Sequence, residues 1–175
     1  LAAPPPIAML SRRGREPAVR EEGPMLERLF RGFRAEGDAA PAEPEDRTRV
    51  AAAALLVTAA AMDDVFDDAE RARIQELLAR RFALDEGAAH RLLAEAEALA
   101  IESVDLHGFT QTVKEGFDFD ERLELLEMAW EVVYTDGVLH DHEANLLRRL
   151  AGLLAVSDRD SGAARRRVRE RLGLD

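Results

Sequence analysis

Two acidic turns contain the side chains of this chain that are best suited to binding chemistry. Two sets of acids share one spacing and lie 73 positions apart: Asp63, Asp68 and Glu70, then Asp136, Asp141 and Glu143. Carboxylate oxygens are the preferred ligands of hard divalent cations such as Ca²⁺, Mg²⁺ and Mn²⁺. His140 and His142 stand beside the second set, and imidazole nitrogens also suit Zn²⁺ and Ni²⁺. The pattern therefore predicts a divalent-cation site.

Helix capping is the competing explanation for part of this pattern. Asp68 and Asp141 suit the N-cap position, and a glutamate two residues later falls in the first helical turn, where the dipole stabilises an acid by roughly 0.3–1 kcal/mol. Asp63 and Asp136 instead follow a helix, where the dipole disfavours negative charge. A bound cation explains these two better than capping does. The acids do not follow EF-hand spacing, so the expected affinity is modest or depends on a partner.

The elements that must position these turns are helical. Apolar residues recur at helical spacing, and no stretch alternates with a period of two over strand length, so the fold is predicted to be all-α. Predicted caps are Thr48, Asp85, Ser157 and an Asp118–Glu121 capping box. Seven helices are expected, approximately at Thr48–Met62, Asp68–Phe82, Asp85–Ser103, Asp105–Gly116, Asp120–Thr135, Asp141–Leu154 and Ser157–Gly173.

An internal duplication relates the two turns. A shift of 73 positions aligns the first predicted helix with the fifth and the second with the sixth, and Asp85 and Asp158 both keep an acid at a cap. Apolar character is kept in five pairs: Leu56/Ala129, Ala59/Val132, Val65/Val138, Ile74/Leu147 and Leu77/Leu150. Two copies are too few for a solenoid, so we expect one compact bundle with a pseudo-twofold relation.

Composition limits the class of protein. The chain has 175 residues, 47% of them hydrophobic, which is enough for one domain. It has no Cys, which excludes disulfides and thiolate chemistry and fits a reducing compartment. No apolar run reaches the roughly 20 residues of a membrane-spanning helix. We therefore expect a cytoplasmic protein with a tail and linker at 1–47 and a helical domain at 48–175.

The N-terminal region differs from the rest of the chain. Leu1–Pro24 is rich in Pro and Arg and has no helical periodicity, so it is predicted to be a disordered tail. Because Met25 resembles a natural start, we hypothesise that this tail is an upstream extension. Its Arg cluster follows a short, Pro-broken apolar stretch, unlike a signal peptide. Met25–Phe33 is predicted to form a short basic amphipathic helix. This helix is expected either to rest on an anionic membrane or to dock on the domain.

Charge sets the expected partners. The formal net charge is −11, and from Asp38 to Leu147 acids outnumber bases 26 to 9. Nucleic acid is therefore a poor partner for this region. A divalent cation or a basic protein surface is a better one. The last predicted helix is rich in Arg and places Ala164, Val168 and Leu172 on one stripe. Its arginines either pair with the acids of the domain or contact anionic lipid at the inner membrane.

The acidic turns also carry a resemblance to a known family. Tyr134–Glu143, with its Asp136-Gly137 turn and acid-led helix, and more loosely Ala61–Glu70, resemble the tellurite-resistance TerB-like family over about Thr48–Gly173. The resemblance implies a bundle of about seven helices with internal two-fold similarity, in bacterial stress or metal-response complexes. It also implies that the proposed metal-binding positions of the family match Asp63, Glu70, Asp136 and Glu143. The first turn departs from the pattern, because Asp64 stands where the second turn has glycine.

The sequence favours a non-catalytic binding or scaffold module that is tuned by a divalent cation. Two alternatives stay open: a metal-dependent hydrolase using the clustered carboxylates, and an acidic adaptor without metal. His90 is expected to be half-buried in a helix and His107 to lie on the surface, while Trp130 and Tyr134 are expected in the core. Tellurite itself is not expected to bind, because an oxyanion would meet a strongly acidic surface.

Overall fold

The computed structural model describes residues 43–61, 66–102, 105–135, 137 and 139–174. The described residues form helices and turns with no strand, which confirms the all-α prediction. Leu1–Pro24 and Met25–Phe33 lie outside the described residues. Within the described residues, seven helices follow one another: α1 Pro44–Ala60, α2 Asp68–Phe82, α3 Glu86–Glu102, α4 Leu106–Gly116, α5 Phe119–Val133, α6 Asp141–Leu153 and α7 Asp158–Leu172.

Helix α1 forms the centre of the bundle. It packs against α2, α3, α4, α5 and α6, and its four consecutive alanines at 51–54 are completely buried. A helix that is apolar on nearly every side is expected in the interior of a bundle, and small side chains let neighbouring axes approach closely. The two acidic turns are therefore attached to a core in which α1 and α5, the helices that precede them, pack against each other.

The start of α1 corrects one prediction. The helix begins at Pro44, four residues before Thr48, because proline suits the first helical turn, where no backbone N–H donor is needed. Thr48 is therefore not the N-cap. It lies one turn inside the helix, is 5% exposed, and its hydroxyl donates a hydrogen bond to the carbonyl of Pro44 at 3.0 Å.

Most other predicted helix starts are confirmed by their caps. The carboxylate of Asp85 accepts a hydrogen bond from the N–H of Ala88 at 2.7 Å, and Asp105 accepts one from Gly108 at 2.9 Å. Asp118 and Glu121 form the predicted reciprocal capping box at the start of α5. Ser157 caps α7 through the N–H of Asp160 at 3.2 Å, and Gly173 ends it with a φ of 68°.

The duplication is visible in burial. Four of the five predicted apolar pairs are buried in both copies: Leu56/Ala129, Ala59/Val132, Ile74/Leu147 and Leu77/Leu150. Val65 and Val138 lie outside the described residues. The predicted cap pair needs a correction, because α7 is capped by Ser157 and Asp158 is its first helical residue. The pseudo-twofold relation stays a prediction.

A close contact between α1 and α4 gives a test of this packing. A Cβ added at Gly116 would lie 2.2 Å from the Thr48 hydroxyl oxygen and 2.9 Å from its Cβ, so Gly116→Ala should lower the free energy of unfolding by about 1–3 kcal/mol. Gly152→Ala is the matched control: nothing lies within 4 Å of its added Cβ, so stability should stay the same or rise by up to about 1 kcal/mol. Urea unfolding followed by circular dichroism measures both. Equal losses in the two variants would contradict the close contact.

No helix in the described part of the chain is both long and apolar enough to cross a bilayer.

Candidate functional site

The start of α2 is built by a reciprocal capping box. The Asp67 carboxylate accepts a hydrogen bond from the N–H of Glu70 at 2.9 Å, and the Glu70 carboxylate accepts one from the N–H of Asp67 at 3.0 Å. Two backbone donors that the helix itself leaves unpaired are satisfied in this way. The capping residue is therefore Asp67, one position before the predicted Asp68.

The start of α6 repeats half of this arrangement. His140 occupies the N-cap position, and its N–H donates to Glu143 Oε2 at 2.7 Å. Glu143 is only 7% exposed, so its carboxylate is fixed against the backbone at the start of the helix. The rings of His140 and His142 stack with their centroids 5.5 Å apart and their planes at 7°. The predicted cap Asp141 is again one residue too late.

This one-residue correction changes the role of two candidate ligands. Asp68 and Asp141 occupy the first helical positions, where both are exposed and neither caps the helix. Asp68 forms an ion pair with Arg71 at 3.2 Å, and Arg71 also donates to Glu97 at 2.7 Å. The hydrogen bond to Glu97 and the nearby Asp68 raise the pKa of Arg71, so this guanidinium in the first turn of α2 stays charged.

The described residues do not by themselves complete a metal site. Asp63 and Asp136 lie outside the described residues. Among the residues that are described, no group of three or more His, Asp or Glu side chains is close enough to hold a metal ion. The candidate ligands that are described form two incomplete sets. Asp68 and Glu70 lie at the start of α2, and residues 140–143 lie at the start of α6. A divalent-cation site at either turn, with Asp63 or Asp136 among its ligands, therefore stays a prediction.

A buried carboxylate in α5 was not identified from the sequence. The Glu131 side chain is 2% exposed and pairs with three arginines from two other helices. Arg73 Nη2 lies 2.5 Å and Arg80 Nη2 lies 3.4 Å from Glu131 Oε2, and Arg171 Nη2 contacts Oε1. A cavity of about 480 Å³ opens beside this cluster. A charge buried at this depth is expected to be paired, and here it joins α2, α5 and α7.

The Arg-rich face of α7 uses acids of the same domain. Arg167 lies 2.6 Å from Glu127, and Arg171 contacts both Glu127 and Glu131. Ala164 and Val168 are buried and Leu172 is partly buried, as the predicted stripe requires. Internal ion pairs therefore account for two of the six arginines of this helix. Contact of α7, or of Met25–Phe33, with anionic lipid stays a prediction.

Trp130 in α5 and Tyr134, the C-cap residue of that helix, lie in the core, as predicted. Trp130 and Tyr134 are 4% and 7% exposed, and their rings stack with centroids 5.8 Å apart. Arg165 lies over the Trp130 ring at 5.1 Å and donates to the Tyr134 hydroxyl at 2.8 Å. The indole N–H of Trp130 is buried without a hydrogen-bond partner among the described residues.

The two isolated histidines are both on the surface. His107 is exposed as predicted. His90 was expected to be half-buried and is exposed, because the buried stripe of α3 is formed by Ala89, Leu93 and Ala96. His90 follows Ala89 by about 100° around the helix and so points away from that stripe.

Comparison with known proteins agrees with the motif at the two turns. The model of the family described as tellurite resistance protein TerB matches residues 49–166, which is more than half of the chain. No curated protein matches the chain. No solved structure matches it either. The seven helices, the repeated helix starts and the span of the family match lead to one conclusion: the chain belongs to the tellurite resistance TerB family.

Proposed function

We propose that this TerB-family chain is a non-catalytic binding module whose acidic turns bind a divalent cation and present it to a protein partner. The cation would be held at the second turn by Asp136, Asp141 and His140 or His142, and at the first by Asp63 and Asp68. The cation would bridge the two proteins, because carboxylates of this acidic surface and carboxylates of the partner would both coordinate it. Catalysis is not part of the proposal.

The exposure of Asp68 and Asp141 is the observation that supports this proposal. Capping at both helix starts is carried out by other groups: Asp67 with Glu70 in α2, and the Glu143 carboxylate in α6. Two carboxylates therefore remain exposed, one directly after each acidic turn. The helix dipole favours an acid at these positions. Asp68 Oδ1 lies 3.2 Å from Arg71, so a cation at the first turn would compete with that ion pair. The family match adds that the same turns belong to a TerB domain.

An acidic adaptor without metal is the second candidate. The chain has a formal net charge of −11, and a basic protein surface would be attracted to it over roughly 8 Å at physiological salt. The exposed acids at the starts of α2 and α6 would then contact Lys or Arg of the partner directly. The hydrolase alternative gains no support from the described residues.

Titration calorimetry of the full chain with Ca²⁺, Mg²⁺, Mn²⁺ and Zn²⁺ tests the cation proposal. We expect heat with at least one of these ions, and we expect Asp136→Asn to weaken that binding at least about tenfold, because a neutral amide replaces a charged ligand. Asp63→Asn reports on the first turn in the same way. The comparison of the two variants assigns the ion to one turn or to both.

Asp158→Asn is the matched control. Asp158 is exposed at the first position of α7, like Asp68 in α2, but Ser157 caps that helix and no acidic turn precedes it. Its replacement should leave the heat unchanged. If the double variant Asp63→Asn/Asp136→Asn binds the ion as tightly as the parent chain, the ion binds elsewhere and the acidic turns are not its site. If no ion gives heat, the metal-free adaptor replaces the cation proposal.

A further inference from the structure

A groove of about 490 Å³ lies on the surface where α1 begins and where α2 and α4 end. Its apolar part is formed by Phe82 and Phe117, whose ring centroids are 6.3 Å apart, and by Pro44. Both rings are only partly buried against the core. An apolar concavity of this size suits one or two large apolar side chains of a ligand.

Charged side chains line the rim of this groove. The guanidinium of Arg49 lies 5.6 Å from the Phe82 ring centre, and that of Arg81 lies 5.4 Å from Phe82 and 5.3 Å from Phe117. Each arginine has two carboxylate partners within 4 Å: Glu45 and Asp46 for Arg49, and Glu121 and Glu124 for Arg81. Two of these acids, Glu45 and Glu121, line the groove together with the two arginines, and Asp46 and Glu124 add two carboxylates within 4 Å of the same arginines. Four carboxylates around two guanidinium groups suit a ligand with large apolar residues and a positive charge.

We propose that residues 25–34 of the same chain dock in this groove. These residues lie outside the described part of the chain, and their sequence has the complementary pattern. In a helix, one face of the segment would carry its four large apolar residues: Leu26, Leu29, Phe30 and Phe33. Its charged residues are three bases and one acid: Arg28, Arg31, Arg34 and Glu27. The apolar face would meet Phe82 and Phe117, and the arginines would meet the rim acids.

The position of the segment along the chain favours docking within one molecule. The nine residues 35–43 connect it to Pro44, which is itself part of the groove. Nine extended residues reach up to about 30 Å, far more than the groove requires. A short tether gives an effective concentration on the order of millimolar, so even a weak contact would be populated. A partner with the same apolar and basic pattern would have to displace the segment.

A spin label on the segment tests the proposal in the full chain. The chain has no Cys, so Glu27→Cys provides one attachment point for a nitroxide. We expect the amide NMR signals of Phe82, Ala83 and Phe117 to lose most of their intensity through relaxation by the nitroxide. Signals at the start of α6 should lose much less, because the length of α5 separates them from the groove by roughly 20 Å.

The control is the same labelled chain carrying Phe30→Asp. The change removes one apolar anchor and adds an acid near the rim acids, and it leaves the sequence of residues 43–174 unchanged, so the groove signals should recover their intensity. A sample that mixes spin-labelled chain with separately isotope-labelled chain should show no loss. Loss in that mixture would indicate docking between two copies and would overturn docking within one chain. Full intensity at the groove in the first sample would also overturn it.

Discussion

Glu131→Gln should lower the free energy of unfolding by about 3 kcal/mol. The substitution keeps the shape of the side chain and removes the charge that holds Arg73, Arg80 and Arg171 together. Removal of one member of a buried ion pair costs about 3–5 kcal/mol, because the remaining charge has lost its partner. We expect a loss at the lower end of this range, because the side chains of the three arginines are between 23% and 57% exposed and water screens part of their mutual repulsion. Urea unfolding of the two proteins measures the difference.

Glu124→Gln is the matched control for Glu131. Glu124 lies on the same helix and pairs with Arg81 at 3.0 Å, but its side chain is 61% exposed. Surface ion pairs contribute about 0–1 kcal/mol, so this variant should unfold within about 1 kcal/mol of the parent. Similar small losses in both variants would mean that the Glu131 cluster does not join α2, α5 and α7.

Phe109→Ala should cost about 3–5 kcal/mol of stability. Phe109 lies in α4, is completely buried, and belongs to the core cluster together with α1 and α5. Truncation removes the transfer free energy of the ring and leaves a cavity that the surrounding helices fill only partly. Because single domains are stable by only about 5–15 kcal/mol, the loss should be large enough to shift the melting temperature clearly. Differential scanning calorimetry measures this shift.

Phe119→Ala is the matched control at the surface. Phe119 is the first residue of α5, is 40% exposed, and its main polar contact is Arg122, 5.8 Å from its ring centre. Its truncation should cost less than about 1 kcal/mol. An equal shift in melting temperature for Phe109→Ala and Phe119→Ala would contradict the assignment of the core.

Local patterns explain why the helices could be predicted from the sequence. Apolar periodicity and capping residues depend on neighbours three or four positions away, so the range of α2 was predicted as it is observed and α4 to within one residue. The predicted cap at Asp68 was wrong by one residue because the adjacent Asp67 suits an N-cap equally well. The predicted cap at Asp141 was wrong by one residue because the N-cap position is occupied by His140, which is not among the residue types favoured there. The spacing from Asp67 to Glu70 is that of a capping box, and this signal would have identified Asp67.

The buried ionic cluster could not be predicted because it depends on contacts between distant positions. The arginines that surround Glu131 are separated from it by 58, 51 and 40 positions. Along α5, nothing local distinguishes Glu131 from Glu127 or Glu124, and only the packing of α2 and α7 against α5 buries it. The same limit applies to the aromatic groove, which combines residues of α1, α2 and the end of α4.

Amide hydrogen exchange with and without the cation that gives heat tests the central claim most directly. We expect saturating cation to slow exchange around residues 67–70 and 140–143, since a ligand bound at the acidic turns would stabilise both helix starts. The start of α7 at 157–161, which has a cap but no acidic turn, should exchange at an unchanged rate. Slowing that is absent from both acidic turns, or that is equally large at 157–161, would contradict the assignment of these turns as the binding site of the chain.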